Sequence, residues 1–128
     1  YRGCLVTRQL SGGKDPWAAL QEPSIDADRL GTILQAAARA VRAMHREGVY
    51  HADLNLKNIL IRFQEGMAEG YVIDFDRAKL FLGNLPASLA QKNLDRLLRS
   101  ARKLDPARRY LSADAWNQFV KFYYGADG

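Results

Sequence analysis

The stretch His51-Ala-Asp-Leu-Asn-Leu-Lys-Asn58 is a polar loop set between a long helical pattern and two short apolar runs. Upstream, Leu30, Ile33, Leu34, Ala37, Ala38, Val41 and Met44 recur at three- and four-residue steps. That spacing predicts an amphipathic helix of about six turns beginning near Ser24. Asp26 and Asp28 suit its positive end, His45 and Arg46 its negative end, and Gly48 is a natural stop. Downstream, Asn58-Ile-Leu-Ile-Arg62 and Gly70-Tyr-Val-Ile-Asp74 are β-prone runs with a polar, glycine-containing connection, which predicts a hairpin. Polar groups at such element ends stand at a rim while their apolar neighbours anchor them. Asp53 then lies in the loop, Asn58 at the entry of one strand and Asp74 at the exit of the other.

This rim carries one chemistry well. Phosphoryl transfer from a metal-bound nucleotide needs a carboxylate beside the acceptor hydroxyl and oxygen ligands that hold Mg²⁺ against the phosphates. Asp53, Asn58 and Asp74 supply them at the spacing HxDxxxxN, hairpin, D-F-x. Each alone has a bland reading, Asp53 as a turn cap and Asn58 as a turn residue. Asp74, directly after Tyr-Val-Ile, is poorly placed in a pure core, because burial would penalise its charge unless a cation or donors offset it. Three such positions together favour metal-assisted phosphotransfer.

Composition bounds the alternatives. The chain has 128 residues, enough for one domain or one lobe, and its 48% hydrophobic content can fill a core. Charges interrupt every apolar stretch before the ~20 residues that a membrane helix requires. The single Cys4 excludes an internal disulfide framework and zinc-binding cysteine pairs. Nineteen basic against fourteen acidic residues give +5, which favours anionic partners without selecting one. No stacking-aromatic or groove-reading motif suggests nucleic acid. Ser11-Gly-Gly-Lys14 is not a phosphate loop: the GxxxxGK[ST] spacing is missing and Asp15-Pro16 follows.

Cys4 to Thr7 read as a strand, Asp15 to Leu20 as a short helix, Leu80 to Ser88 as loop and Ala90 to Leu104 as a helix. On that helix Leu94, Leu97, Leu98, Ala101 and Leu104 share one face, and Lys92, Arg96, Arg99 and Lys103 form a stripe opposite. The bland reading of the stripe is a solvated face. As a set it is a candidate contact for an anionic substrate or membrane surface. Ser112 is expected to cap a last helix carrying Ala115, Trp116, Phe119, Val120 and Tyr123.

The two rim segments resemble the catalytic loop and the metal-binding D-F-G region of the protein-kinase-like fold. His51-Ala-Asp-Leu-Asn55 with Asn58-Ile-Leu60, Ile73-Asp-Phe-Asp-Arg77 and Lys92-Asn-Leu-Asp-Arg-Leu-Leu-Arg-Ser100 are more narrowly similar to lipopolysaccharide core kinases. Among these the 3-deoxy-D-manno-octulosonic acid (Kdo) kinase family is the nearest in pattern. The resemblance implies an α+β fold, a mainly helical C-terminal lobe with a small β-hairpin carrying both loops, as a single domain over 1–128 with a hinge segment at about 4–13. It implies an enzyme that uses ATP and Mg²⁺, with Asp53 as the catalytic carboxylate, Asn58 and Asp74 as metal ligands, and His51 as a brace of the loop. Thr7, Gln9 and Leu10 match the hinge that holds the nucleotide base, and Leu60 and Ile73 match apolar positions around it. The implied acceptor is a sugar hydroxyl of the lipopolysaccharide inner core, Kdo on lipid A. The implied location is cytoplasmic, peripheral on the inner face of the bacterial inner membrane.

Three departures narrow this. Protein kinases place Lys or Arg where Asn55 stands, and Gly where Asp76 stands; no Ala-Pro-Glu anchor follows. Asp76 is expected to join the metal site or to bind Arg77. A soluble kinase of the aminoglycoside or choline type shares the loop logic and stands as the alternative; a non-catalytic pseudokinase or binding module is the competitor from another class. No glycine-rich strand pair or strand lysine precedes Cys4, and the chain begins with Tyr1. The expectation is a piece that has little activity without an N-terminal lobe.

Overall fold

Helix α1 (Ala27–Arg46) forms over the predicted apolar stripe, in a computed structural model that describes residues 27–64, 67–107 and 111–125. Ile33, Leu34, Ala37, Ala38, Val41 and Met44 are buried on it and Leu30 packs against the same core. Each such Ile, Leu, Val or Met stabilises the fold by roughly 1.5–3 kcal/mol relative to exposure. Gly48 ends the helix at a φ of +78°, and a Cβ there would strike the carbonyls of Phe81 and Gly83. The orphan carbonyl of His45 at the helix end accepts from the Gly48 and Leu85 amides at 3.0 and 2.7 Å.

Strand β1 (Val49–Tyr50) follows, then a 3₁₀ turn (Leu56–Asn58), β2 (Ile59–Gln64), β3 (Met67–Val72) and β4 (Lys79–Leu80). β2 and β3 form the expected antiparallel hairpin, in register from Ile59 opposite Val72 to Gln64 opposite Met67. It packs across α1 at very close range. Gly70 makes this possible: a Cβ there would collide with the Ala36 carbonyl oxygen and press on the Ala40 methyl. This explains why Ala36 and Ala40, small residues off the predicted stripe, are also buried. β1 pairs antiparallel with β4, Val49 opposite Leu80 and Tyr50 opposite Lys79, so the segment expected to be loop from Leu80 begins as a two-residue strand. A pairing that short, between segments distant in sequence, leaves no periodicity to read.

Helix α2 (Ala87–Leu104) starts three residues earlier than expected, straight after Pro86, and buries Ala90, Leu94, Leu97 and Ala101. Helix α3 (Ala113–Gly125) lies against α1 and is capped by Ser112, whose Oγ accepts from the Ala115 amide at 3.1 Å. Trp116 stacks on Phe119 at 5.0 Å within the core boundary. Among the described residues no helix is long and apolar enough to cross a membrane. The expected helix start at Ser24 with Asp26 in its first turn, the Cys4–Thr7 strand and the Asp15–Leu20 helix lie outside the described residues.

Candidate active site

Two buried leucines, Leu54 and Leu56, anchor the loop after β1, and the residue ahead of each, Asp53 and Asn55, is correspondingly turned toward its polar side. Asp53 is exposed, whereas Asn55 is spent on the loop itself. Its Oδ1 accepts from the Lys57 amide at 2.8 Å, capping the 3₁₀ turn, and its Nδ2 donates to the Asp53 carbonyl at 3.1 Å. An Asn at this position therefore sets the path of the loop in which Asp53 is presented.

The hairpin brings the second loop onto the first. The Ile73 amide donates to the Asn58 carbonyl at 2.7 Å, and the Ile73 carbonyl accepts from His51 Nε2 at 3.0 Å. On the other side of the same ring, His51 Nδ1 accepts from the Asp53 amide at 3.2 Å. These two bonds define the neutral tautomer with the proton on Nε2. One imidazole thus spans the loop of Asp53 and the residue before Asp74. Phe75 packs on it, with ring centroids 5.3 Å apart. Asp74 adopts a left-handed φ of +66° and is exposed, at the rim where the strand-end position put it. The turn throws its side chain out of the strand line, which removes the desolvation cost.

Behind the loop stands a residue that the sequence reading gave no role. Asn93, fully buried on α2, donates from Nδ2 to the His51 carbonyl at 2.6 Å and accepts on Oδ1 from the His51 amide at 3.1 Å. Those two bonds fix the orientation of the amide. His45 Nε2, 3.0 Å from the same Oδ1, must then be a donor, leaving Nδ1 to accept from the Tyr123 hydroxyl at 2.7 Å. Burial lowers the His45 pKa to about 4, with the charge of Arg42 adding to the effect and the Asn93 bond opposing it. His45 is therefore neutral at pH 7 and does not serve the helix dipole as a cation, a correction to the sequence-based expectation. The signal for both was a polar residue on an apolar stripe: His45 beside Met44 and Asn93 beside Leu94. Such residues must find buried partners.

Two clefts meet at Asp53. One, of about 280 Å³, is lined by Asp53, Asp74, Asp76 and Arg77. The other, of about 410 Å³, is lined by Asp53, Leu54, Asn55, Arg96, Arg99, Ser100 and Lys103. The basic stripe is thus divided: Arg96, Arg99 and Lys103 share a cleft with Asp53, and Lys92 stays outside it. Arg96 is half-buried rather than solvated. Leu60 and Ile73 are half-buried and line neither cleft. Thr7, Gln9 and Leu10 lie outside the described residues.

Among the described residues no group of three or more His, Cys, Asp or Glu side chains is disposed to hold a metal ion. Mg²⁺ carried by nucleotide phosphates takes one or two carboxylates from the protein, and Asp74, exposed at the rim, can supply one. Asn58 adds the second fitting feature. Its Oδ1 is buried and has no hydrogen-bond partner among the described residues, a costly state for an amide oxygen that a cation would relieve.

A model of the lipopolysaccharide kinase (Kdo/WaaP) family matches residues 1–123. Curated proteins named 3-deoxy-D-manno-octulosonic acid kinase are similar over most of the chain. That of Vibrio vulnificus (strain YJ016) is 36% identical over 103 residues, 80% of this chain and 39% of that protein. That of Mannheimia succiniciproducens is 30% identical over 125 residues, 96% of this chain and 49% of that protein. The solved structure of WaaP in complex with acyl carrier protein matches with a TM-score of 0.72 at 25% identity, over 91% of this chain and 49% of that one. The kinase-like α+β fold expected from the loops is thereby borne out. The chain spans 39% to 49% of the length of these relatives.

Proposed function

Because the chain belongs to the lipopolysaccharide kinase (Kdo/WaaP) family, we propose that the protein carrying it transfers the γ-phosphate of ATP to a sugar hydroxyl of the lipopolysaccharide inner core, with Kdo on lipid A as acceptor. The observation that carries the proposal is the orphaned Asn58 Oδ1, on a residue whose carbonyl is bonded to the amide just before Asp74. Asn58 and Asp74 would hold Mg²⁺, which when bound offsets the negative charge of the nucleotide phosphates. Asp53, exposed on a loop tied to His51 and Asn93, accepts the proton of the acceptor hydroxyl as its oxygen bonds the γ-phosphorus. The bridging P–O bond breaks in the same displacement and ADP leaves. His51 works as a positioning residue, holding the two loops at a fixed separation.

Thr7, Gln9 and Leu10 fall to the hinge that takes the base, and Leu60 and Ile73 to its apolar contacts. A lipid-linked acceptor places the protein peripherally on the cytoplasmic face of the inner membrane, and the net charge of +5 favours that anionic surface. The test is transfer of labelled γ-phosphate to Kdo–lipid A by the full-length gene product. Asp53→Asn should keep ATP binding and lose transfer by about 10²–10⁴-fold. Label appearing on an aminoglycoside or choline but not on Kdo–lipid A would overturn the acceptor, and an Asp53→Asn variant with parental turnover would overturn the role of Asp53.

A further inference from the structure

We infer that the basic cleft beside Asp53 is an acceptor subsite, in which Arg96, Arg99 and Lys103 hold an anionic group of the acceptor, a carboxylate or a phosphate ester. The inference rests on the phosphotransfer reading above and adds the side from which the acceptor arrives and the group that holds it.

Three observations carry it. The first is charge: Arg96, Arg99 and Lys103 lie at i, i+3 and i+7 on α2, hence on one face, and all three line the same cleft. Among the described residues that line it, Asp53 is the one carboxylate, so these hold cations in excess. The second is an unmet donor. Arg96 Nε is buried and has no hydrogen-bond partner among the described residues. A guanidinium N–H stripped of water with no acceptor is a costly state, which a carboxylate or phosphate oxygen bound in the cleft that Arg96 lines would relieve. The third is fixed placement: Ser100 Oγ accepts from the Leu56 amide at 3.3 Å and donates to the Leu97 carbonyl at 2.7 Å. That bond ties the helix bearing the cations to the loop bearing Asp53.

The other cleft explains the division of labour. It presents Asp53, Asp74 and Asp76 against one cation, Arg77, so its lining is acidic on balance and favours phosphates that bring their own cation. An anionic acceptor, carrying no metal of its own, is repelled there and attracted by the basic cleft. Donor and acceptor then occupy separate clefts that share Asp53. In-line displacement needs the acceptor oxygen across the γ-phosphorus from the leaving oxygen, which separate sites allow, and holding both partners at fixed positions is the main contribution a protein makes to phosphoryl transfer.

The test uses the full-length protein, with binding of three soluble probes read by calorimetry: free Kdo, its carboxyl-reduced analogue and inorganic phosphate. Arg96→Gln should weaken one anionic probe by about 10–100-fold, the loss of one charge-assisted contact, and leave ATP binding unchanged. Loss confined to Kdo, with the reduced analogue already weak on the parent, identifies the sugar carboxylate as the bound group. Loss confined to inorganic phosphate identifies a phosphate ester of the lipid. Should Arg96→Gln also lose ATP binding, Lys103→Gln, at an exposed position, decides in its place. Variants that bind every probe as the parent does overturn the subsite, even where the parent phosphorylates Kdo–lipid A. Anion binding that depends on Arg96, in a protein that phosphorylates no lipopolysaccharide sugar, keeps the subsite and sinks the proposed reaction instead.

Discussion

His45 and His51 lie at nearly the same depth, 1% and 2% exposed, and both touch Asn93, yet they do different work. His45 faces inward. Its partners are the side chains of Asn93 and Tyr123, which belong to α2 and α3, so its bonds join three helices into one scaffold. His51 faces the rim. Its ring bonds go to backbone groups, the Asp53 amide and the Ile73 carbonyl, so its position is passed on to two loops. The difference teaches what decides whether a buried histidine serves stability or a site. Depth does not decide it; the identity of the partners does. Asn93 couples the two halves, since one amide oxygen receives both the His45 ring and the His51 backbone.

The most direct way to break this comparison is Asn93→Leu. It conserves size but leaves the His51 amide, the His51 carbonyl and His45 Nε2 without partners in a buried setting. Each of the three orphaned groups costs about 1–3 kcal/mol, so the full-length protein should lose at least about 3 kcal/mol of stability and most of its activity together. Urea unfolding followed beside phosphate transfer checks it. Activity lost with stability intact would mean that Asn93 serves the loop alone and does not couple it to the scaffold.

Acid sharpens the inward half of the comparison. The His45 pKa is lowered to about 4 from 6.5, by burial first and then by the charge of Arg42. Between those values the unfolded chain binds a proton that the folded chain refuses, so the contribution is present above pH 6.5 and is lost as pH falls toward 4. The amount is about 3 kcal/mol. His45→Gln keeps a donor for Asn93 but cannot titrate. It should unfold more easily at neutral pH and show a shallower loss of thermal stability between pH 6.5 and 4. An unchanged acid slope in that variant would assign the slope to other groups.

The sequence shows the rim more clearly than the bracing behind it. Periodicity placed α1, because Ile33 to Met44 repeat along one face, and turn chemistry placed the hairpin and the Gly48 stop. The HxDxxxxN and D-F-x spacings located Asp53, Asn58 and Asp74 because these segments are local. What escaped was non-local. β1 and β4 pair over two residues each, too short for any alternation to register. Asn93 was visible within the Lys92–Ser100 resemblance and as a polar residue on an apolar stripe, but its role was not, because its partner lies 42 residues away in sequence. The row Arg96–Arg99–Lys103 was legible as a helix face, but the cleft it shares with Asp53 depends on the Ser100–Leu56 bond between two distant segments.

The smallest expected effect concerns the backbone at Asp74. A non-glycine residue at a φ of +66° lies in the left-handed region that glycine enters freely and aspartate tolerates at some cost. At an exposed position with no packing to lose, Asp74→Gly should change stability by no more than about 1 kcal/mol, in the favourable direction, because relief of the strain outweighs the added freedom of the unfolded chain. The same substitution removes the carboxylate and should abolish transfer. Asp74→Asn keeps the left-handed preference, so its stability should stay at the parental value while transfer falls. Thermal unfolding of the pair separates the two contributions. If Asp74→Gly is clearly less stable than the parent, the Asp74 side chain holds the loop together, and the rim is braced by more than His51 and Asn93. If it is as stable or slightly more so while inactive, the strained turn persists for the sake of the carboxylate it presents.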